Sequence, residues 1–405
     1  MSSAYIVDGV RTPVGSFAGS LAAIRPDDMA AHVISEVLKK CGVEDGSEIG
    51  QIVMGCANQA GEDNRNVARM AGLLAGVPDS VPAETVNILC ASGMAASINA
   101  ARSIMVGDGD LYVAGGVESM SRAPYVLSKS ARPFGRDASI YDTSIGWRFV
   151  NQSMKKQFGV DSMGETAENV AEKYKISRED QDIFAFHSQQ KASVARDAKR
   201  FEKEITPVII PQRKGDPKTV NQDEFLKPAT TLDILGKLRT AFRENGSVTA
   251  GNASGINDGA AALLMSSEEW LAKNNKKPLA RVVSSAVAGV EPRIMGIGPV
   301  PASRKALQKA GLSFNDLSVI ELNEAFAAQS LACIREFGLD DDDPRINPNG
   351  GAIALGHPLG MSGARLLLTA AMELNLKNER YALCTMCIGV GQGYAVVLEN
   401  VNYTQ

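Results

Sequence analysis

The stretch KKCGVEDGSEIGQIVMGCANQAG at residues 39–61 has a counterpart in QKAGLSFNDLSVIELNEAFAAQS at residues 308–330. Both run from a helical pattern through glycine into a short apolar strand and then a loop of small and polar residues. Each later returns to another apolar strand, LYVAGG at 111–116 and YALCTMC at 381–387. Strands that alternate with helices in this way predict an α/β fold, and the repeat predicts two such units with their sheets packed together.

The spacing of the reactive side chains supports this repeat. Cys56 precedes Cys90 by 34 residues, and Asn323 precedes His357 by the same interval. Cys90 and His357 are each followed by small residues that begin a helical pattern, SGMAASINAA and GMSGARLLLTAA. A thiol at a junction between strand and helix meets free backbone N–H groups and the helix dipole, which lower its pKa. Cys90 is therefore a candidate nucleophile.

The same pattern divides the chain into three segments. Residues 1–118 are interpreted as an N-terminal half that is completed by residues 249–274, and residues 275–405 as a C-terminal half. Residues 119–248 are charged, are interrupted by proline and glycine, and contain a helical stretch without a counterpart in the C-terminal half. We interpret them as an inserted loop domain that shapes a ligand site or an oligomer contact.

The composition narrows the class of protein. The chain has 405 residues, of which 44% are hydrophobic, and is long enough to bury a large core. Its formal net charge of -4 and its lack of long basic runs argue against nucleic acid as the main ligand and leave an anionic small ligand open. No apolar run reaches membrane-spanning length, and neither a signal-peptide pattern nor a peroxisomal tripeptide is seen, so we expect a cytoplasmic protein.

The cysteines and histidines differ in their local context. The six cysteines are irregularly spaced and predict neither a disulfide framework nor a metal site. The cysteines interpreted as small buried residues are Cys41, Cys56, Cys333 and Cys384. Among the histidines, only His357 lies in a glycine-rich turn, GHP. Cys90, His357 and Cys387, which precedes IGVGQG, are the three sites that indicate chemistry.

Seven motifs resemble those of the thiolases in order and spacing, across essentially the whole chain. They are VNILCASGM, GGVESMSRAPY, MGETAENVA, TAGNASGINDGAAA, NEAFAAQ, GGAIALGHPLGMSGAR and CIGVGQG. The resemblance implies an acyltransferase that cleaves a 3-ketoacyl-CoA with CoA, or runs the reverse Claisen condensation, through an acyl-enzyme. It also implies a duplicated thiolase fold, with two packed mixed sheets in a layered αβαβα arrangement and an inserted loop domain.

The resemblance assigns the catalytic roles residue by residue. It implies that Cys90 is the nucleophile, that His357 activates it as a base, and that Cys387 serves the α-carbon as acid and base. Asn323 resembles the residue that fixes a water molecule which, with His357, stabilises the enolate oxygen. The backbone N–H groups of Cys90 and Gly389 would form a second oxyanion hole.

The resemblance further implies coenzyme A as co-substrate, with no tightly bound cofactor and no metal. Ser254 would bind the pantetheine arm, Met163 and Phe326 would line its channel, and Lys227 would lie near the adenine end. The alternative for Lys227 is a solvated surface lysine, and for Met163 and Phe326 a core role. A homodimer or homotetramer is expected, without nucleic acid or membrane partners.

The segment YDTSIGWRFVNQSMKKQFGVDSMGETAENVA at residues 141–171 looks like that of the 3-oxoadipyl-CoA (β-ketoadipyl-CoA) thiolases. A substrate that ends in a carboxylate needs a cation near the acyl tunnel. Arg148 is the first candidate, and Arg132 and Arg136 are the others. Ion pairs between domains or subunits are the alternative role for these arginines.

Some positions depart from the subgroup patterns and leave other functions open. Ser162 stands where the acetoacetyl-CoA-forming members commonly have histidine, while Gly164 and Ala91 differ from the degradative subgroup. An acetyl-CoA acetyltransferase and a fatty-acid 3-ketoacyl-CoA thiolase are the alternatives within the family. A ketosynthase is a rival enzyme, and a non-catalytic acyl-CoA or lipid-binding protein of the same fold is the alternative from another class, although such a binder needs no acid-base residues.

Overall fold

The structure, a computed structural model, describes residues 2–404 as strands that alternate with helices. The strands are β1 (Ala4–Arg11), β2 (Gly15–Ser16), β3 (Gln51–Gly55), β4 (Ala83–Val86), β5 (Leu111–Ser119), β6 (Tyr125–Leu127), β7 (Ile140–Asp142), β8 (Val208–Ile210), β9 (Lys218–Val220), β10 (Asn257–Ser267), β11 (Ala280–Gly289), β12 (Val319–Leu322), β13 (Tyr381–Ile388) and β14 (Gln392–Glu399). The helices are α1 (Pro26–Cys41), α2 (Val67–Leu74), α3 (Ser92–Val106), α4 (Gln152–Phe158), α5 (Met163–Tyr174), α6 (Arg178–Asp197), α7 (Leu232–Gly236), α8 (Glu268–Asn274), α9 (Pro299–Ala310), α10 (Ala327–Phe337), α11 (Ala352–Leu355) and α12 (Leu359–Lys377). Short 3₁₀ helices lie at Leu89–Ala91, Arg200–Lys203, Pro292–Ile297 and Phe314–Asp316.

Local sequence explains where these elements begin and end. α1 begins at Pro26, whose missing N–H costs nothing at a helix start, and ends before Gly42, which adopts φ 70°. α5 begins after Ser162, whose hydroxyl accepts a hydrogen bond from the backbone N–H of Glu165. β10 is buried at every position because both faces of the sheet are covered, which explains its nearly continuous run of small and apolar residues.

The main sheet consists of two half-sheets. The N-terminal half-sheet has the order β4-β3-β5-β10-β1, with β2 paired to β10, and the C-terminal half-sheet has the order β12-β13-β14-β11. β3 runs parallel to both β4 and β5, and β12 runs parallel to β13, whereas the other pairs in the main sheet are antiparallel. The predicted α/β class with mixed strand directions is confirmed.

The two half-sheets are joined along one edge, a connection that the prediction of two packed sheets did not include. β1 and β11 pair through Tyr5 with Arg281 and Ile6 with Ala280, which makes one ten-stranded sheet. The backbone N–H of Leu279 also donates to the carbonyl of Ile6 at 2.8 Å. This contact satisfies backbone groups that an open edge inside the molecule would leave unpaired, and the repeat pattern contains no signal for it.

Three helical layers cover and separate the half-sheets. α1 and α2 share a hydrophobic core with one face of the N-terminal half-sheet. α9 and α10 share another core with one face of the C-terminal half-sheet. α3 and α12 belong to a third core that includes residues from both half-sheets, and they form the layer between them. The predicted αβαβα order of layers is therefore present.

The middle helices meet backbone to backbone near their first turns. A Cβ atom on Gly93 of α3 would collide with the carbonyl oxygen of Gly360 in α12, and one on Gly363 would collide with the backbone of α3. Only glycine permits this approach. Because Cys90 lies three residues before Gly93 and His357 three residues before Gly360, the contact brings the two predicted reactive turns to one place.

The region predicted as an insertion contains the hairpins β6–β7 and β8–β9 and the helices α4 to α7. Its apolar side chains on α5 and α6, including Val170 and Phe184, join the core under α10 that also contains Leu331. The exposed hairpin β6–β7 extends away from that core. The boundaries at residues 118, 249 and 275 stay a prediction.

Candidate active site

Cys90 lies in a tight turn between β4 and α3. Leu89, immediately before it, adopts φ 51°, a left-handed conformation that is uncommon outside glycine. Two side chains hold this turn: Asn87 Oδ1 accepts from the Leu89 backbone N–H at 2.9 Å, and the Ser92 hydroxyl donates to the Leu89 carbonyl at 2.6 Å. The strain at Leu89 is thus stabilised by local polar contacts, and the sulfur is placed at the start of α3.

The thiol of Cys90 is only 8% exposed and is protonated at neutral pH in the resting site. Burial raises the pKa of Cys90 to about 11, although hydrogen bonding from the backbone N–H groups of Gly389 and of Cys90 itself acts in the opposite direction. These two N–H groups are the pair that the sequence predicts as an oxyanion hole. The structure therefore brings Gly389 and Cys90 together.

His357 follows Gly356, a position where only glycine fits. Gly356 adopts φ 103°, and a Cβ atom there would lie 2.6 Å from the side chain of Asn257. Asn257 Oδ1 accepts from the His357 backbone N–H at 2.9 Å, and Asn257 Nδ2 donates to the Gly15 carbonyl at 3.0 Å. Asn257 thereby ties the histidine turn to the N-terminal half-sheet.

The hydrogen bonds of the imidazole determine its tautomer. The Ser362 hydroxyl donates its proton to the Pro358 carbonyl at 2.8 Å, so its oxygen accepts from His357 Nδ1 at 2.6 Å. Nδ1 therefore carries the proton, and Nε2 is unprotonated and acts as an acceptor. Asn323 Nδ2 lies 3.3 Å from Nε2 and donates to it.

His357 is neutral in this site. Burial and, to a smaller extent, the positive charge of Arg365 on α12 together lower its pKa to about 3. A neutral imidazole with an unprotonated Nε2 is the form that accepts a proton. The resting site consequently holds a neutral thiol and a neutral base, and charge develops only when substrate reacts.

Asn323 presents an unused acceptor to the site. Its backbone N–H donates to the Thr385 carbonyl at 3.0 Å, which fixes it at the end of β12. Its Oδ1 atom is buried and has no hydrogen-bond partner among residues 2–404. A buried acceptor of this kind needs a donor, such as a water molecule or a substrate group.

Cys387 lies in β13 beside the nucleophile and is fully buried. Burial raises its pKa well above the ordinary value for a thiol, and the neighbouring Cys90 raises it further. A thiol with a raised pKa holds its proton until a strong base such as a carbanion accepts it. The structure thus places Cys90 and Cys387 together in an apolar environment.

The chain matches the sequence models of one family over almost its whole length. Residues 4–269 match the thiolase N-terminal domain, and residues 276–400 match the thiolase C-terminal domain. The chain belongs to the thiolase family. The predicted thiolase fold and the predicted class of acyltransferase are confirmed.

Three known proteins illustrate the similarity. The 3-oxoadipyl-CoA/3-oxo-5,6-dehydrosuberyl-CoA thiolase of Escherichia coli (strain K12) is 59% identical over 401 residues, which are 99% of this chain and 100% of that protein. The acetyl-CoA acetyltransferase of Chromobacterium violaceum is 47% identical over 97% of this chain and 98% of its own. The crystal structure of the Bacillus anthracis acetyl-CoA acetyltransferase aligns with a TM-score of 0.92 at 39% identity, with 99% of both chains covered.

Two of the predicted CoA-contacting residues of this thiolase lie beside Cys387, and a third lies next to them. Met163 and Phe326 pack in the same cluster as Cys387, and Phe326 also meets Phe242 edge-to-face with ring centroids 6.4 Å apart. The Ser254 backbone N–H donates to the Ala325 carbonyl at 3.0 Å, next to Phe326. Met163 and Phe326 therefore adjoin the second cysteine, and Ser254 is bonded to the backbone next to Phe326.

Lys227 lies further out. Its ammonium group is 4.9 Å from the ring centroid of Phe225, and that ring packs against Gly255, the neighbour of Ser254. The side chain of Lys227 is exposed. The ring of Phe225 therefore lies between the Lys227 ammonium group and the segment that contains Ser254, the predicted pantetheine contact.

The candidate arginines differ in exposure. Arg132 and Arg136 are exposed, whereas Arg148 is partly buried. Arg148 forms no ion pair with any carboxylate in residues 2–404. Its neighbour Trp147 donates from Nε1 to the Asp161 carbonyl at 3.2 Å, which anchors this loop two residues before Met163.

Sequence reasoning missed Ser362, Asn257 and Glu118. Ser362 lies in the quoted motif GGAIALGHPLGMSGAR, four residues after Pro358, and this helical spacing is a signal that the first turn of α12 brings its hydroxyl back toward Pro358 and the preceding His357. Asn257 and Glu118 each lie 100 or more residues from His357 in sequence. No local pattern relates them to that histidine.

Metal binding and membrane insertion were both predicted to be absent. Cys56, Asp63 and Glu118 form the one group of three or more possible ligands that lies close enough to share a metal ion within residues 2–404. Both carboxylates already accept hydrogen bonds from backbone N–H groups, those of Gln59 and Gly61 for Asp63 and those of Ala57 and Asn58 for Glu118.

Within residues 2–404, no helix combines the length and apolar character that crossing a bilayer needs.

Proposed function

We propose that this thiolase cleaves 3-oxoadipyl-CoA with CoA to give succinyl-CoA and acetyl-CoA, or runs the reverse condensation. The observation that carries the proposal is the 59% identity, over the full length, to a protein named as a 3-oxoadipyl-CoA thiolase. The geometry agrees with thiolysis, because a buried cysteine, a neutral histidine with an unprotonated Nε2 and a second buried cysteine belong to one site.

In the first step, His357 Nε2 takes the proton of Cys90, and the sulfur attacks the ketone carbon C3 of the substrate. The developing oxyanion is stabilised by the backbone N–H groups of Cys90 and Gly389. The C2–C3 bond then breaks, and its electron pair leaves on the enolate of acetyl-CoA. Cys387 donates its proton to C2 of that enolate, which releases acetyl-CoA and leaves a succinyl thioester on Cys90.

In the second step, free CoA transfers its thiol proton to the Cys387 thiolate and attacks the thioester carbonyl. The tetrahedral adduct collapses with loss of the Cys90 sulfur, which recovers a proton from His357. Succinyl-CoA leaves, and every group returns to its resting protonation state. Asn323 supports this cycle by donating to Nε2 and by offering Oδ1 to a water molecule beside the enolate oxygen.

We further propose that Ser254, Met163 and Phe326 line the pantetheine channel, and that Lys227 lies toward the adenine end. Their support is the continuity of the surface from Cys387 through Phe326 and Ser254 to the ring under Lys227. Coenzyme A is the co-substrate in this proposal.

Acetyl-CoA acetyltransferase activity is the second candidate, because a relative with that name is 47% identical over nearly the whole chain. The two functions differ only in the acyl end of the substrate. A carboxylate there needs a paired cation when it enters a partly dry tunnel, since an unpaired buried ion costs several kcal/mol. The unpaired and partly buried Arg148 supports the first candidate.

The test is a panel of purified substrates for CoA-dependent cleavage: 3-oxoadipyl-CoA, acetoacetyl-CoA and a longer 3-ketoacyl-CoA. We expect the highest kcat/KM for 3-oxoadipyl-CoA, with succinyl-CoA and acetyl-CoA identified by mass spectrometry. A preference for acetoacetyl-CoA would establish the second candidate instead. Binding without turnover on every substrate would indicate the non-catalytic alternative.

We also propose a homo-oligomer. The hairpin β6–β7 exposes large apolar side chains, with Tyr125 75% exposed, Leu127 64% and Ile140 71%. A contiguous apolar surface of this kind is typical of a protein contact. Light scattering of the wild type should report the mass of a dimer or tetramer. If the hairpin forms the subunit contact, the double variant Leu127→Ser with Ile140→Ser should have a lower mass.

A cytoplasmic location stays a prediction from the sequence.

A further inference from the structure

Glu118 connects two loops of the active site with one carboxylate. It lies in β5 and is 1% exposed. Its oxygens accept hydrogen bonds from the backbone N–H groups of Ala57 at 3.0 Å, Asn58 at 3.0 Å and Gly360 at 2.8 Å. Hydrogen bonds from backbone N–H groups to an ionised carboxylate are stronger than hydrogen bonds between two neutral groups. A single buried side chain therefore holds one loop of the N-terminal half and one of the C-terminal half.

The bond to Gly360 caps the helix that begins just after His357. α12 follows Pro358, which provides no side-chain cap, so the N–H groups of its first turn need other acceptors. Glu118 supplies one of them from a different element. Negative charge at a helix N-terminus is also favoured by the helix dipole. Glu118 thus fixes the first turn of α12, and with it the position of His357.

The other two bonds lead toward the nucleophile. The Ala57 carbonyl accepts from Asn87 Nδ2 at 2.9 Å, and Asn87 Oδ1 accepts from the Leu89 backbone N–H at 2.9 Å. A chain of hydrogen bonds therefore runs from Glu118 through Ala57 and Asn87 to the strained residue before Cys90. Both reactive turns are connected to the same carboxylate.

The internal repeat gives Glu118 an equivalent in the other half. In β5, Gly116 lies opposite the last residue of β3, and in β13, Thr385 lies opposite the last residue of β12. Glu118 and Cys387 each lie two residues further along their strand. Cys387 lies beside the turn that precedes α3, and Glu118 contacts the first turn of α12. Of these two equivalent positions, the one in the C-terminal half thus holds the proposed acid-base residue Cys387, and the one in the N-terminal half holds Glu118, which bonds to the backbone of the neighbouring loops.

We propose that Glu118 is a positioning residue, which sets Cys90 and His357 relative to each other by holding both of their loops. The inference rests on the proposed thiolase function, because the two turns matter together only in that reaction. Glu118 itself does not take part in proton transfer to the substrate.

Protonation of Glu118 weakens this arrangement. Burial, with a smaller contribution from the charge of Asp63, raises its pKa to about 7, although the three backbone N–H bonds act in the opposite direction. The other titratable groups that face it are the thiols of Cys56 and Cys90. A protonated carboxyl directs a hydrogen at the N–H donors, so at least one of the three bonds is lost.

The test compares Glu118→Gln with Asp63→Asn. Asp63 is a buried carboxylate of the same cluster, but it accepts backbone bonds only from its own loop, at Gln59 and Gly61. For Glu118→Gln we expect kcat to fall about 10²-fold, because a displacement of about 1 Å between reacting groups has that effect, while KM for acyl-CoA changes little. Amide exchange in a peptide covering residues 357–365 should become faster. In Asp63→Asn, both kcat and exchange should stay near wild type.

Full kcat in Glu118→Gln, or equal losses in both variants, would overturn the proposal. If Glu118→Gln does not fold, the wild type provides a second measurement. After correction for intrinsic rates, exchange protection of residues 357–365 should be lower at pH 6 than at pH 8, and equal protection would contradict the inference. A wild type that cleaves no 3-ketoacyl-CoA would refute the proposed function, whereas the exchange data would still decide whether Glu118 holds α12.

Discussion

Asn323 Nδ2 and His357 Nε2 lie 3.3 Å apart, on side chains from two different loops of the C-terminal half. This contact is possible because the opposite imidazole nitrogen is hydrogen-bonded to Ser362 at 2.6 Å, which leaves Nε2 as the acceptor. The base is thereby held in one tautomer from both sides. The proposed mechanism requires that orientation, because it assigns to Nε2 the removal of the Cys90 proton.

The first prediction concerns the two cysteines. Incubation of the wild type with acyl-CoA should place a thioester on Cys90, and Cys90→Ala should abolish both the label and the activity. Cys387→Ala should still accept the label at Cys90 yet lose thiolysis by about 10²- to 10⁴-fold, because it lacks the group that protonates the α-carbon. Mass spectrometry of the labelled peptides checks this, and a thioester on Cys387 in the wild type would contradict it.

The second prediction concerns Ser362. Ser362→Ala removes the acceptor for His357 Nδ1 and allows the other tautomer, so we expect kcat/KM to fall by about 10²-fold with a smaller effect on stability. Ser97→Ala is the matched control, because Ser97 donates to the Gly93 carbonyl on α3 at 2.9 Å in the same way that Ser362 donates to Pro358. Steady-state kinetics and thermal melts of both variants test the assignment. Equal activities in the two variants would show that the tautomer is fixed by other contacts.

The third prediction concerns pH and stability. The pKa of His357 falls from 6.5 to about 3 on folding, so between these values the unfolded chain binds a proton that the folded site does not. The unfolded state therefore gains protons as the pH decreases, and stability falls by up to ~1.4 kcal/mol per pH unit from this group. Urea unfolding of His357→Gln should show a shallower loss between pH 6.5 and 4.5 than the wild type. His187→Gln, at a partly exposed histidine, serves as control, and identical slopes in all three proteins would refute the account.

The fourth prediction concerns substrate specificity. Arg148→Ala should lower kcat/KM for 3-oxoadipyl-CoA much more than for acetoacetyl-CoA, because only the former carries a second carboxylate to be paired. Arg132→Ala is the control, since Arg132 is exposed and its loss removes the same charge without opening the tunnel. Equal losses on both substrates in Arg148→Ala would mean that Arg148 supports the fold or a subunit contact.

The layers of the fold were predictable, whereas the connection between the half-sheets was not. The repeat of strand, small-residue loop and helix is local information, and it correctly indicated α/β units in a layered arrangement. The pairing of β1 with β11 consists of two residue pairs, Tyr5 with Arg281 and Ile6 with Ala280, between strands that are far apart in the sequence. Such a short contact is set by how the packed layers bring two edges together, and no periodicity in either strand records it.

The sequence by itself predicted which residues carry chemistry. The local context of Cys90, His357 and Cys387 indicated them, because apolar strands, glycine-rich turns and small-residue helix starts are local patterns, and the resemblance to the thiolases added Asn323. Only the tertiary structure decided how those groups are held. The tautomer of His357, its low pKa and the connection of both reactive turns to Glu118 arise from burial and from hydrogen bonds that largely cross long sequence separations. Hydrogen bonding and desolvation depend on distance in space, which a linear pattern does not specify.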